Sequence, residues 1–264
     1  METGRKNTVL LHAWKKTGQH WFMFVLANYH KILTENIQKP LDWLLVENFG
    51  RKAVGYTSEE WDGNRRAITR KDFRKDYPPM LRSEMNWEGN LEYHESFDKV
   101  VYLCRNPFDV LLSYYYYSEK NLLRQLLIDE GDVEYAKDPL IITLDHKKLW
   151  IYINERIPLY IQHLNEGYYH GDVVLQYEKL MEDPTLFKDA FLLFYEDINE
   201  EAFQKALEFG GFKQVHKMNP HHARKGKVGQ YKEEMTPEMI EYIKKECKKN
   251  LKKEIVEDLK IEEY

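Results

Sequence analysis

Cysteine is scarce in this 264-residue sequence, which contains only Cys104 and Cys247. Two cysteines cannot build a disulfide framework or a cysteine-based metal site, so both are predicted to be structural thiols in a reducing compartment. Long apolar runs are missing as well: the longest, such as Trp21–Ala27, are much shorter than the roughly 18–20 residues that cross a bilayer. The first residues, Met1–Asn7, include no apolar stretch and do not resemble a signal peptide. These absences predict a cytoplasmic protein without a membrane partner.

Neither sign of charge dominates the chain, because 39 basic and 44 acidic residues are interspersed and leave a net charge of −5. This balance excludes the large basic surface of a nucleic-acid-binding protein, so no nucleic-acid partner is expected and any anion site must be local. Linkers rich in Pro, Gly or Ser, internal repeats and low-complexity segments are also absent. With 43% hydrophobic residues, the chain can bury one sizeable core, and we predict a single domain over residues 1–264.

Short apolar runs alternate with longer segments of helical period, which is the pattern of strands buried on both faces of a mostly parallel sheet. The predicted strands are Thr8–Trp14, Trp43–Val46, Val100–Cys104, Ile141–Leu144 and Val173–Gln176. The predicted helices are Gly18–Leu33, Asn106–Leu127, Leu149–Asn165, Glu200–Phe209 and Pro237–Leu259. The sequence therefore predicts an α/β fold in which helices flank a central sheet. The least regular stretch, Glu47–Pro79, is predicted to hold substrate-specific loops.

Two segments, Thr8–Trp21 and Val100–Ser113, each run from an apolar strand through a turn with a cation into an amphipathic helix. The cation is Lys16 in the first segment and Arg105 in the second. This arrangement directs helix N-termini and basic side chains at an anion. Two such turns suit a ligand that carries phosphate at both ends.

The motifs in these segments resemble those of the cytosolic-type sulfotransferases. Lys16-Thr17-Gly18 followed by Trp21 is similar to the loop with which that family holds the 5′-phosphosulfate of its donor, 3′-phosphoadenosine-5′-phosphosulfate (PAPS). Arg105-Asn106-Pro107 with Ser113 resembles the family's site for the 3′-phosphate. Together these motifs imply a P-loop-like nucleotide-binding topology and an enzyme that uses PAPS.

Two further motifs of the family follow in the same order. Gln176-Tyr177-Glu178-Lys179-Leu180 resembles the family's Arg-Tyr-Glu-Asp-Leu segment. Arg224-Lys225-Gly226, with Gly229-Gln230-Tyr231-Lys232, resembles its Arg-Lys-Gly and Gly-Asp-Trp-Lys loop. The resemblance thus extends from Thr8 to about Glu241.

The resemblance assigns the donor's phosphosulfate end to the loop after the first strand. Lys16 is expected to neutralise charge on the bridging oxygen as the sulfonate leaves, and Trp21 to stack on the adenine. The family's two Thr are replaced by Gln19 and His20. We expect both side chains to contact the donor through amide and imidazole donors instead of hydroxyls.

The 3′-phosphate is assigned to Arg105 and Ser113, because a planar guanidinium fork matches a phosphate and a hydroxyl adds a neutral donor. The resemblance adds Arg224, Lys225 and Gly226 as a loop that closes on the same phosphate, with a basic surface loop as the alternative. Tyr177 and Phe212 match positions that line the adenine, although each is also a suitable core aromatic.

The general base is where this sequence departs from the family. Arg82-Ser83-Glu84 stands where the family carries Lys-Thr-His, so Glu84 replaces the catalytic His and Arg82 the Lys near the sulfonate. A carboxylate can act as base if partial burial raises its pKa. His20 and His94 are the alternative bases, and Glu84 as a structural partner of Arg82 is the alternative role.

The implied reaction is in-line sulfonate transfer from PAPS to a hydroxyl or amine, with 3′,5′-ADP as product and no metal. A small-molecule alcohol, phenol or amine is the preferred acceptor. The basic run Arg65–Lys75 is either a solvated helix face or a docking surface for an anionic acceptor. Lys232 to Glu241 resembles the family's dimerisation segment, but Pro237 replaces a Val and removes a backbone donor, which makes a homodimer doubtful.

Two rival functions remain at this stage. A P-loop kinase or NTPase shares the strand–loop–helix arrangement, but the Gly-x-x-x-x-Gly-Lys-Ser/Thr motif that it requires is absent. A non-catalytic protein that binds 3′-phosphoadenosine nucleotides is the other alternative. It would have lost activity when Glu84 replaced the His.

Overall fold

The computed structural model describes residues 7–42, 46, 54–57, 80–83, 97–129, 141–218 and 227–263. These residues contain a five-stranded parallel sheet, in which the strands follow the order β2-β3-β1-β4-β5. The strands are Val9–Ala13 (β1), Val54–Thr57 (β2), Met80–Ser83 (β3), Lys99–Cys104 (β4) and Val173–Gln176 (β5). The predicted α/β fold with a mostly parallel sheet is therefore confirmed.

Helices follow most of the strands. The longer ones are Gln19–Glu35 (α1), Pro107–Asp129 (α2), His146–His170 (α3), Glu200–Gly210 (α6) and Pro237–Asn250 (α9). The shorter ones are Tyr177–Glu182 (α4), Phe187–Phe191 (α5), Phe212–Met218 (α7), Tyr231–Glu234 (α8) and Lys253–Asp258 (α10), with 3₁₀ turns at Pro184–Leu186 and Ile261–Glu263. Within the described ranges, none of the helices is both long enough and apolar enough to cross a membrane.

Two of the predicted strands are wrong where the structure describes them. Residues 141–144 form no strand, and Ile141 is 90% exposed. This apolar run instead leads to Asp145, whose carboxylate accepts the N–H groups of Lys147 and Lys148 at the start of α3. Val46 is helical, with its N–H bonded to the carbonyl of Asp42, and residues 43–45 lie outside the described part.

The chain divides into two compact units, Met1–Arg105 with His163–Lys225 and Asn106–Gln162 with Gly226–Tyr264. The first unit contains the whole sheet. The second contains α2, most of α3 and the C-terminal helices. That residues 1–264 act as one domain stays a prediction.

In the first unit, successive residues of β1 point to opposite faces of the sheet. Val9, Leu11 and Ala13 belong to the main hydrophobic core, together with residues of α1 and α6. The two helices approach closely at Gly210, where an added Cβ would lie 2.8 Å from the backbone nitrogen of Val25. This packing fixes α1, and with it the turn that joins β1 to α1.

On the opposite face of the sheet, two histidines are buried. The rings of His12 on β1 and His163 on α3 stack with centroids 4.2 Å apart. The hydroxyl of Tyr102 on β4 lies 3.1 Å from Nδ1 of His163, and the indole of Trp14 meets the His163 ring edge-on. Burial, together with the nearby His170, lowers the pKa of His12 from 6.5 to about 3. Burial and His12 also lower the pKa of His163.

Acid is therefore expected to destabilise the protein through this pair. Both imidazoles are neutral in the folded state, whereas the unfolded chain binds their protons below pH about 6.5, so stability falls as pH decreases from there towards about 3. Each of these two protons contributes about 1.4 kcal/mol per pH unit to the slope of the unfolding free energy against pH. His163→Phe keeps a ring against His12 and should reduce the slope between pH 6 and 4 by about that amount, measured by urea unfolding. An unchanged slope would contradict this account.

Candidate functional site

The turn between β1 and α1 has an unusual backbone. Lys16 has φ of 73° and Gly18 has φ of 103°, and only glycine adopts this left-handed region without strain. The side chains of Thr17 and Gln19 stabilise the turn from within, because both donate to the carbonyl of Trp14, at 2.7 Å and 3.2 Å. The turn thus holds Lys16 in a strained conformation at the carboxyl end of β1.

α1 begins directly after this turn. Gly18 precedes the helix and makes no side-chain cap, and the first turn contains no acidic residue. The N-terminus of a helix carries partial positive charge and N–H groups that lack intrahelical partners. With the cation of Lys16 just before it, this helix start is suited to bind an anion.

A second cation lies at the end of β4. The register of β4 and β5 pairs Cys104 with Gln176, so the next residues, Arg105 and Tyr177, leave the sheet side by side. The guanidinium carbon of Arg105 lies over the Tyr177 ring, 4.4 Å from its centroid. Nε of Arg105 is 3.8 Å from the Glu178 carboxylate, and the two side chains are only 9% and 11% exposed.

Tyr177 also joins Arg105 to the turn after β1. A Cβ added at Gly18 would lie 2.9 Å from Cδ2 of the Tyr177 ring, so glycine is required here both by its backbone and by this contact. Trp21, buried in the first turn of α1, meets the Tyr177 ring edge-on at 6.0 Å and the Phe187 ring at 5.1 Å. The structure therefore brings the predicted residues Gly18, Trp21, Arg105 and Tyr177 together.

Other predicted residues in this unit are described in part. His20 is half-buried in the first turn of α1, and Gln19 is buried with its amide on the Trp14 carbonyl. That either side chain contacts the donor stays a prediction. Arg82 lies in β3 with its backbone paired to Leu11 of β1, while its side chain lies outside the described part.

Ser113 belongs to the second unit, on α2, where it is half-buried. One turn earlier on this helix, the buried carboxylate of Asp109 accepts the N–H groups of Gly229, at 2.7 Å, and of Tyr231, at 3.3 Å. The rings of Phe108 and Tyr231 stack with centroids 4.7 Å apart. The start of α2 is thereby joined to residues that closely follow the predicted phosphate-binding loop.

Several predicted residues fall outside the described part. They are the candidate bases Glu84 and His94, the side chain of Phe212, the basic run Arg65–Lys75, and Arg224, Lys225 and Gly226. Their assignments stay predictions. In the part of the chain that is described, no three His, Cys, Asp or Glu side chains are grouped so that they could hold a metal ion.

The sequence alone does not indicate a role for two residues of these arrangements, Glu178 and Asp109. Glu178 follows Tyr177 in a recognised motif, but its ion pair with Arg105 depends on the register of two strands. Asp109 could be recognised only as an acid in the first turn of a helix, where it would be assigned to the helix dipole. Its bonds to Gly229 and Tyr231 join segments that are far apart in the sequence.

Comparisons with known proteins give one family match and several matches in fold. Residues 90–254 match the family described as "Sulfotransferase domain". Mouse sulfotransferase SULT7A1 complexed with PAP shares 16% identity and a TM-score of 0.58, over 99% of this chain and 89% of that chain. Retinol dehydratase also shares 16% identity. Its complex with androsterone and inactive cofactor PAP gives a TM-score of 0.55, over 93% of this chain and 80% of that chain. Its complex with retinol and PAP gives 0.58, over 93% and 81%. No match was found among curated proteins.

Proposed function

The chain belongs to the PAPS-dependent sulfotransferase family, and we propose that it transfers the sulfonate of PAPS to a hydroxyl or amine of a small molecule, in line and with a general base. Sulfonate transfer itself follows from the family. The acceptor class, the residue roles and the course of the reaction are the proposal. The non-catalytic candidate from the sequence, a protein that only binds the nucleotide, is the outcome that the test below must exclude.

The observation that carries the proposal is the contact of Arg105 with Tyr177 and of Tyr177 with Gly18. It joins the two cation-bearing turns, at the carboxyl ends of β1 and β4, through one aromatic ring. In parallel α/β sheets this edge is where ligands bind. A nucleotide with phosphate at both ends fits these features, since Lys16 and the start of α1 would hold one end and Arg105 the other.

The proposed reaction breaks the bond between sulfur and the bridging phosphate oxygen and forms a bond between sulfur and the acceptor atom. The acceptor's proton passes to Glu84, and the products are 3′,5′-ADP and the sulfated acceptor. Lys16 stabilises the charge that develops on the leaving oxygen, and Arg82 the charge on the sulfonate. Positioning of donor and acceptor supplies much of the remaining rate enhancement.

The acceptor class is supported by the ligands of one protein of similar fold. Retinol dehydratase was crystallised with androsterone and with retinol, which are both small molecules. A direct test is to incubate the protein with PAPS and a panel of alcohols, phenols and amines and to measure 3′,5′-ADP release. Release that depends on an acceptor supports the proposal. Tight 3′,5′-ADP binding without turnover on any acceptor would favour the non-catalytic candidate.

Arg105→Ala is expected to weaken 3′,5′-ADP binding at least tenfold, because a charged hydrogen bond to phosphate contributes roughly 1.5–3 kcal/mol. Affinity for 5′-AMP, which lacks the 3′-phosphate, should change much less. Calorimetry with both nucleotides measures the difference, and the melting temperature shows whether the variant is folded. Equal affinity of the wild type for the two nucleotides would contradict the assignment of Arg105 to the 3′-phosphate.

A further inference from the structure

The ion pair between Arg105 and Glu178 places a carboxylate beside the proposed phosphate-binding cation. Glu178 is the second residue of α4, which begins immediately after β5 ends. Its Oε1 lies 3.8 Å from Nε of Arg105, and both side chains are about nine-tenths buried. A buried guanidinium is costly unless an anion compensates its charge. Glu178 supplies such an anion in the ligand-free protein.

A 3′-phosphate and Glu178 are anions that interact with the same guanidinium. When the nucleotide binds, the phosphate gains the attraction of Arg105 but also lies near the negative charge of Glu178. Because this region is buried, the repulsion is weakly screened by water and salt. Glu178 therefore stabilises the ligand-free site and opposes the ligand at the same time.

We propose that Glu178 is a resident counter-ion of Arg105, which keeps the empty site stable and speeds the release of 3′,5′-ADP. The inference rests on the proposed function, because it takes the 3′-phosphate as the ligand of Arg105. It assigns Glu178 an electrostatic effect on the nucleotide, exerted through Arg105. Glu178 is thus a positioning residue and has no contact with the reacting atoms.

The ring of Tyr177 allows the charge of Glu178 to be removed without displacing the Arg105 side chain. The guanidinium carbon lies 4.4 Å from the ring centroid, and the ring is itself held against Gly18 and Trp21. This stacking does not depend on the charge of Glu178. The guanidinium is expected to keep its place on the ring when that charge is removed.

Glu178→Gln removes the charge and keeps the shape. We expect the variant to melt at a lower temperature than wild type without ligand, since Arg105 loses a counter-ion. With ligand, it should bind 3′,5′-ADP on the order of tenfold more tightly, because a like charge near the phosphate is gone. Most of this gain should appear as slower dissociation in stopped-flow measurements. Affinity for 5′-AMP should stay near the wild-type value.

Glu182→Gln is the matched control, because it removes the same charge from an exposed position on the same short helix. It should change neither melting temperature nor affinity. Glu178→Asp keeps the charge and should bind 3′,5′-ADP more weakly than Glu178→Gln. If Glu178→Gln folds poorly, Glu178→Asp still tests the proposal against wild type. It keeps a negative charge near the phosphate, so its affinity for 3′,5′-ADP should stay close to the wild-type value, and a tenfold tighter affinity would contradict the counter-ion role.

Two outcomes are distinguishable. Unchanged or weaker 3′,5′-ADP binding in Glu178→Gln, in a wild type that discriminates against 5′-AMP, would overturn the counter-ion role and leave the proposed function intact. Equal binding of both nucleotides by the wild type would overturn the proposed 3′-phosphate site itself. The lower melting temperature of ligand-free Glu178→Gln, compared with Glu182→Gln, tests the counter-ion role without any nucleotide.

Discussion

Lys16→Met is expected to lower the turnover rate at saturating donor by roughly 10²–10³-fold, the range for removing one group that stabilises a developing charge. The Lys is held at φ of 73° just before the start of α1. A residue kept in a strained conformation at a ligand-binding turn is typical of a functional site. In the proposed reaction Lys16 stabilises charge that develops mainly in the transition state. Affinity for the donor should therefore fall much less than the turnover rate.

Lys15→Met removes the same charge from the neighbouring position and is the control for this experiment. It should leave the turnover rate within a few fold of the wild type. Steady-state kinetics with separate titrations of PAPS and acceptor give both constants for each variant. If Lys16→Met lost donor binding but kept its turnover at saturation, Lys16 would serve only as a phosphate anchor.

Glu84→Gln is expected to cost roughly 10²–10⁴-fold in turnover, the usual contribution of a general base. The motivation is its position in the sequence, directly after β3. Ser83, the last residue of β3, pairs with His12 of β1, so β3 ends at the same edge of the sheet as the Lys16 turn. A carboxylate must be ionised to accept a proton, so wild-type activity should fall as pH drops through the pKa of this group. Binding of 3′,5′-ADP should be unaffected.

His20 is the residue to compare with Glu84, because it is half-buried in the first turn of α1. His20→Asn should retain the loss of activity at low pH if Glu84 is the base. Activity profiles of the wild type and both variants between pH 5 and 9 decide between the two residues. Near-normal turnover in Glu84→Gln, combined with inactive His20→Asn, would assign proton transfer to the imidazole.

Much of the sheet could be predicted because β1, β4 and β5 are short and mostly apolar. The predicted limits of β5 agree with the structure, and those of β1 and β4 agree within one residue at each end. β2 and β3 could not be recognised from apolar runs, since Gly55, Thr57, Arg82 and Ser83 interrupt them. The apolar run at 141–144 wrongly predicts a strand, because local hydrophobicity does not show whether a partner strand is available.

The cations of the site could be found because each follows a strand, and a charged residue at the end of a buried strand has few structural reasons to be there. The contacts that surround these cations could not be predicted. The stacking of Arg105 on Tyr177 depends on the register of β4 with β5, which no local pattern specifies. In the same way, the sequence does not show that Thr17 and Gln19 donate to the Trp14 carbonyl.

The position of β1 in the sheet also determines the order in which the fold can form. β1 pairs on one side with β3 and on the other with β4, so Val9 finds its partners at Met80 and Lys99. During synthesis this strand emerges before either neighbour exists, because β3 ends about 70 residues and β4 about 90 residues after β1 does. Such distant pairing slows folding and exposes the early segment to aggregation. Until β3 and β4 have been synthesised, β1 therefore lacks the strands with which it pairs in the folded sheet.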